Sequence, residues 1–210
     1  MSSASRLYLI RHGEAENNIR TNIISGRSNE LGLIKTGMEQ SRKLGGALLS
    51  AGIIPDVVYT SPAARASQTA QATLMEMKLD MPVIEDDSLQ EQDTGEWTGQ
   101  IATDIFTKDT LDLISQLGND FKSPGGESFT DVGMRMASRI ESLPDVPAIF
   151  AFTHGGAIRC LIGRMYGWSH DEIYQTKPAN ASVTRLSKAG GEWQLDYLAK
   201  TPDELGAQDE

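Results

Sequence analysis

Leu7-Tyr8-Leu9-Ile10-Arg11-His12-Gly13-Glu14 is the stretch on which the reading of this chain turns. Four apolar residues predict a buried strand, and the strand runs straight into a guanidinium, an imidazole and a glycine. In open α/β sheets, ligands bind at the carboxyl ends of the strands. Arg beside His points to an anion, because the guanidinium fork pairs bidentately with phosphate oxygens. The same arrangement recurs far downstream, in Ala148-Ile149-Phe150-Ala151-Phe152-Thr153-His154-Gly155-Gly156. Two strand-end histidines, each followed by glycine, point to phosphoryl chemistry.

Working outward, strand-like and helical runs alternate. Residues 36–51 carry apolar side chains at helical spacing (Met38, Leu44, Ala47, Leu48, Ala51), and Gly52 stops that helix. Pro55 precedes a strand over 56–61, Pro62 opens a helix to about 78, and 82–85 reads as a short edge strand. A helix over 128–142 begins at Ser128, with Asp131 placed for a capping box. A strand over 147–154 and a helix over 156–166 follow. Residues 181–186 and 193–199 form two strands joined through Gly190-Gly191, a hairpin signal. The order predicts an α/β fold of three layers, α/β/α, with a mostly parallel central sheet. Residues 95–125 fit the alternation least. With Trp97 and a helix-compatible run over 103–117, they read as a small cap inserted over the carboxyl edge, with an ordinary crossover helix as the alternative. The whole of 1–210 is expected to be one domain, with 201–210 a frayed tail.

Composition narrows the function. The 210 residues are 39% hydrophobic, enough for one full core. A formal charge of −10 argues against a polyanion-binding surface, so nucleic acid is not an expected partner. A local cluster of Arg and His is more telling against that balance. The single cysteine, Cys160, excludes an intramolecular disulfide, suits a reducing compartment, and lies in an apolar run that reads as packing. No stretch reaches transmembrane length and no signal-peptide core is evident, so a cytoplasmic protein with no membrane partner is expected. There is no P-loop, and three scattered histidines with one cysteine give no metal-ligand spacing, so neither cofactor nor metal is expected.

The motifs taken together resemble the histidine phosphatase superfamily, also called phosphoglycerate mutase-like. Asn18 follows Arg11-His12-Gly13-Glu14 at the spacing of the family's opening motif, and Ser25-Gly26-Arg27 with Gly37-Met38-Glu39-Gln40 matches its next block. Ser61-Pro62-Ala63-Ala64-Arg65-Ala66-Ser67-Gln68-Thr69-Ala70 matches a long and specific third. Leu89-Gln90-Glu91 with Gly95-Glu96-Trp97-Thr98-Gly99 resembles the block that carries the family's acid. Pro124-Gly125-Gly126-Glu127-Ser128 and Asn180-Ala181-Ser182 match two more, all in family order over residues 6–186.

The resemblance implies roles. His12 would attack phosphorus and form a phosphohistidine, splitting one displacement into two. That requires a neutral ring with one bare nitrogen, so a carbonyl or carboxylate is expected to hold the other N–H. Arg11, Arg65 and His154 would surround the transferring group and counter its charge. Asn18 would donate its amide to a phosphate oxygen, and the backbone N–H groups of Gly155 and Gly156, opening a helix, would add to the anion site. Glu91 would protonate the leaving oxygen and later activate water, with Asp93 and Glu96 as nearby alternatives. Gly26, Arg27 and Trp97 are further candidates for contacting substrate. His170 is expected to be a surface residue on a helix capped by Ser169 or Asp171.

Two departures from the family pattern touch the site's edges. Ala15 replaces a hydroxyl residue, and Ile34 replaces a threonine, leaving Thr36 to cap the following helix. Mutases of the family carry a lysine after the acid block and a later Arg-Arg pair. Here residues 95–125 contain only Lys108 and Lys122 and no arginine. The expected activity is therefore metal-independent hydrolysis of a small phosphomonoester. Mutase-type transfer, protein phosphohistidine hydrolysis and non-catalytic phosphate binding are the alternatives. The acids Glu96, Asp104, Asp109, Asp112 and Asp120 hint at a substrate whose far end is neutral or cationic, or at a solvated face.

Overall fold

The apolar run that opens the sequence lies at the centre of a six-stranded sheet. A computed structural model describes residues 5–206. In chain order the elements are β1 (Arg6–Arg11), α1 (Glu16–Ile19), α2 (Lys35–Ser50), β2 (Val57–Thr60), α3 (Ala64–Glu76), β3 (Val83–Glu85) and α4 (Ala102–Ile105). They continue with α5 (Lys108–Leu117), α6 (Phe129–Glu141), β4 (Ala148–Thr153), α7 (Gly155–Tyr166), α8 (His170–Gln175), β5 (Val183–Ala189) and β6 (Glu192–Lys200). The strand order is β3-β2-β4-β1-β5-β6. The first four strands of that order run parallel, and β5 and β6 run antiparallel beyond them. The mostly parallel three-layer architecture read from the sequence is the one observed.

Strands buried on both faces read as continuous apolar runs, and β1 and β4 do. Leu7 and Leu9, with Ile149 and Ala151, face Val132, Met136, Ile158 and Leu161 of α6 and α7. Tyr8 and Ile10, with Phe150 and Phe152, face Leu44, Leu48 and Leu74 of α2 and α3. The ring of Tyr8 meets that of Phe150 edge-on, 5.4 Å between centroids. At the hairpin, Gly190 and Gly191 adopt φ of +63° and +92°, the pair of left-handed residues that a two-residue turn of this hand needs.

Register then sets the functional edge. Arg11 of β1 lies opposite Thr153 of β4, so both strands deliver their next residue, His12 and His154, to the same end of the sheet. β2 lies on the other side of β4, and the Ser61 N–H donates to the Phe152 carbonyl at 2.9 Å, bringing the start of α3 beside them. The loop leaving β1 folds back against α2. A Cβ at Gly13 would lie 2.4 Å from the Gly37 carbonyl oxygen, and one at Gly37 1.9 Å from that of Glu14. Only two glycines permit that approach.

Several local expectations change. Residues 103–117 are not one helix: Thr107 breaks the run, its hydroxyl accepting the Thr110 N–H as the cap of α5. Residues 95–102 pair with the loop after β1, through an Ile23–Ile101 bridge and bonds from Gly99 to Ile24 and Ile24 to Gln100. Thr36 does not cap α2; Ile34 occupies the cap position with no side-chain acceptor. Of the expected tail, Leu205 is buried in the second core cluster, while 207–210 lie outside the described residues. Among the described residues no helix is long and apolar enough to cross a membrane.

Ser128 forms the capping box with Asp131 that the sequence implied. Ser128→Ala is expected to cost about 1 kcal/mol, read as a fall in melting temperature of roughly 2–4 °C for a domain of this size. An unchanged melting temperature would mean the box contributes nothing.

Candidate active site

The site is built on the nitrogen atoms of two buried rings. His12 Nδ1 lies 2.7 Å from the Gly13 carbonyl oxygen. A carbonyl only accepts, so Nδ1 carries the hydrogen and Nε2 keeps its lone pair. Burial, followed by the charges of Arg65 and Arg11, holds His12 well below the usual histidine range, with the Gly13 hydrogen bond opposing. The ring is neutral at neutral pH, as a nitrogen nucleophile must be. The His154 ring stands 5.2 Å from that of His12, centroid to centroid. Its Nε2 is 2.8 Å from Ser61 Oγ, and its Nδ1 is buried without a hydrogen-bond partner. Burial, then Arg65 and His12, keep His154 well below the usual range too. The positive charge of the cluster therefore comes from the two arginines, not from His154.

Arg65 is fully buried on α3. Its terminal nitrogens donate to the carbonyls of Ser28 (2.8 Å) and Arg27 (2.9 Å), and its Nε has no partner. Arg11 donates to the Pro178 carbonyl, and its Nε is likewise buried and unpartnered. Three buried nitrogens of one cluster thus stand without a hydrogen-bond partner, two of them guanidinium N–H donors. Buried polar groups are ordinarily paired, and an anion with several acceptor oxygens is a partner that fits the two arginines.

Glu91 adjoins this cluster. Its carboxylate accepts the Gly156 N–H (3.1 Å) and the Gln92 N–H (2.9 Å), and its charge bears on both Arg11 and Arg65. A Cβ at Gly156 would lie 2.1 Å from Glu91 Oε1, so the second glycine after His154 is what admits the carboxylate. The Gly156 N–H is thereby committed to Glu91 rather than to the anion, which leaves Gly155 at the start of α7. Asp93 instead accepts from the Gly95 N–H in its own turn, and Glu96 is exposed. Asn18 Oδ1 accepts from the Ala15 N–H (2.9 Å) and from Asn180 Nδ2 (3.3 Å), a fixed orientation at the mouth. Gly26 packs against Thr94 and Thr98, and Arg27 forms ion pairs with Asp93 (3.7 Å) and Glu127 (3.3 Å). Trp97 lines a cavity beside the cluster.

The comparisons with known proteins add to this geometry. A profile of the family described as "Histidine phosphatase superfamily (branch 1)" matches residues 7–201. The chain belongs to that superfamily. One relative, a 2,3-bisphosphoglycerate-dependent phosphoglycerate mutase of Parvibaculum lavamentivorans, is 31% identical over 91% of this chain and 95% of its own. Among solved structures, a mycobacterial glucosyl-3-phosphoglycerate phosphatase in complex with VO3 superposes with a TM-score of 0.77 at 25% identity, covering 94% of this chain and 100% of that one. The alpha-ribazole phosphatase of Shigella flexneri shares the fold, with a TM-score of 0.77 at 24% identity over 93% of this chain and 96% of that one.

In this superfamily member one feature went unread in the sequence. Arg135 of α6 donates to the carbonyls of Ser88 (2.9 Å), Gln90 (2.9 Å) and Glu91 (3.1 Å), and forks onto Glu127 at 2.8 and 3.0 Å. The signal was available: Arg135 stands between Val132 and Met136 on the apolar stripe of a helix, where an unpaired charge is costly. Burial works against ionised Glu127, but the Arg135 hydrogen bonds, the Asp93 N–H and the Arg27 charge hold it below the usual carboxylate range. His170 is half-buried at the surface rather than free in solvent; its ring stacks on Phe129 at 4.8 Å. Ser169 caps its helix as expected. Cys160 is buried and its thiol is pushed up to about 12 by burial, an inert packing group.

His12 and His154 are neutral in the fold but take up protons in the unfolded chain below about pH 6.5. Their depressed values therefore make stability fall as pH drops below that point toward the folded values. Melting temperature is expected to decline from pH 7 to pH 5, with a shallower decline in His154→Asn. A parallel decline in both proteins would contradict the buried, neutral imidazole.

Proposed function

We propose that the protein is a metal-independent phosphomonoester hydrolase working through a phosphohistidine on His12. The observation that carries this reading is the set of unpartnered buried nitrogens, the donors Arg11 Nε and Arg65 Nε with His154 Nδ1, grouped with the bare Nε2 of His12. The lone pair of Nε2 attacks phosphorus, the bond to the ester oxygen breaks, and protonated Glu91 gives that oxygen its proton. The alcohol leaves. Glu91, now a carboxylate, takes a proton from water as the water oxygen attacks phosphorus; the P–N bond breaks and inorganic phosphate forms. Arg11, Arg65, His154, Asn18 and the Gly155 N–H hold the equatorial oxygens throughout. The guanidinium pair supplies the charge such a transition state needs.

Residues 95–125 serve as a cap. The single buried thiol and the charge balance fit a cytoplasmic enzyme acting on a small molecule. The phosphatases among the solved neighbours support hydrolysis. The mutase relative supports transfer instead, which makes mutase the second reading. A mutase must hold a second anionic group of its intermediate. In residues 95–125, however, Lys108 pairs with Asp112 on an exposed helix and Lys122 with Asp131. That observation favours hydrolysis.

With EDTA present, turnover of p-nitrophenyl phosphate is expected in the wild type and to fall by on the order of 10³ or more in His12→Ala. Turnover that survives the substitution overturns the nucleophile. Exchange between 3- and 2-phosphoglycerate faster than hydrolysis overturns the choice of reaction. Arg135 acts through the Glu91 loop as a positioning residue. Arg135→Lys keeps the charge but loses the fork, and should lower turnover of alkyl phosphates by about 10². Turnover of p-nitrophenyl phosphate, whose leaving group needs little protonation, should fall far less. Equal losses on both substrates would leave Arg135 a purely structural part.

A further inference from the structure

Beside the charged cluster lies a cavity of a different kind. It encloses about 200 Å³, and its walls are largely aromatic and apolar, with Trp97, Phe106, Phe121 and Phe129 among them. Trp97 holds Phe106 and Phe121 at ring distances of 5.8 and 5.6 Å. The cavity continues past Phe106, Ile114, His170 and Tyr174 into an open groove of about 670 Å³ between α5 and α8.

Its position ties it to the reaction. Gln92, in its wall, follows Glu91 directly, and its N–H is held by the Glu91 carboxylate at 2.9 Å. Arg159, also in its wall, stands on α7 about one turn beyond Gly155 and Gly156. The Arg159 charge also bears on Arg11, so the alcohol half of a substrate whose ester oxygen meets Glu91 would extend toward this space.

Composition gives the class. A polyol brought here would strip its hydroxyls of water and find few partners, which is unfavourable, and a glycerate would find one cation, Arg159, whose guanidinium already lies over two rings and donates to a carbonyl. An apolar group gains by the same burial. The Arg159 guanidinium lies over the rings of Phe129 (5.4 Å) and Tyr174 (5.7 Å) and donates to the Tyr174 carbonyl at 3.1 Å. That stack presents a flat cationic face suited to another ring, and the buried, unpartnered Arg159 Nε offers one donor to an acceptor on it. The acids noted in the cap segment do not line this space: Asp112 is ion-paired with Lys108, and Asp120 accepts the Thr130 hydroxyl. Their charge does not set the preference.

We infer that this cavity is the subsite for the alcohol half of the substrate and that it selects a flat, apolar alcohol, an aryl phosphomonoester, over polyol and glycerate phosphates. The inference rests on the hydrolase reading above. Phenyl and 1-naphthyl phosphate have leaving groups of similar acidity, so their ratio reads the subsite. kcat/KM for the naphthyl ester is expected to exceed that for the phenyl ester by about tenfold, mainly through KM, and both are expected to exceed glycerol 3-phosphate and 3-phosphoglycerate. Trp97→Ala, and separately Ile114→Asn, should bring the naphthyl-to-phenyl ratio toward one whatever happens to absolute rates. A preference for glycerol 3-phosphate or 3-phosphoglycerate, or a ratio that neither variant changes, overturns the inference. Should no ester turn over, the hydrolase reading has failed, and calorimetry with uncleavable 1-naphthylmethylphosphonate still decides the subsite. Binding about tenfold tighter than methylphosphonate supports it; equal binding overturns it.

Discussion

A guanidinium with no solvent exposure is the constraint on which the rest of this structure depends. Burying Arg65 opposes its charge, and the carboxylates of Glu91 and Glu30 offset that cost. The carbonyls of Arg27 and Ser28 take two of its donors, which pins the loop after β1 against α3. Its charge adds to the burial that keeps the His12 and His154 rings neutral. Loop position and imidazole protonation thus both depend in part on one side chain.

A second arginine fixes the loop that carries Glu91. Arg135 gathers the carbonyl oxygens of Ser88, Gln90 and Glu91 and ties them to Glu127, which in turn pairs with Arg27. The network joins α6 to the loop after β1 through side chains alone. It explains why a motif as plain as Gly126-Glu127-Ser128 carries weight: Glu127 closes the network while Ser128 caps the helix that presents Arg135.

Most of the fold was legible because its informative segments are two-sided strands. Continuous apolar runs at β1 and β4, each stopped by His-Gly, give both the sheet centre and the functional edge, and parallel register does the rest. Gly190-Gly191 announced the hairpin in the same direct way. Where reading failed, helix starts were at issue: the Thr107 hydroxyl split a plausible helix by capping α5, whereas α2 begins at apolar Ile34 with no side-chain acceptor at all. His170 looked like a surface residue because its partner, Phe129, lies 41 positions away and only the packing of α8 on α6 joins them. Arg135 was passed over for a related reason: its partners are backbone carbonyls, which no sequence pattern distinguishes.

The unpartnered buried nitrogens at Arg11, Arg65 and His154 have a consequence for the protein as a material. A tetrahedral oxyanion that reaches them would bind the native chain and not the unfolded one. By mass action such a ligand shifts folding itself. On the proposed mechanism, inorganic phosphate would be at once the product of the chemistry, a competitor for the site and a folding ligand, and the amount of folded enzyme would follow the phosphate level around it.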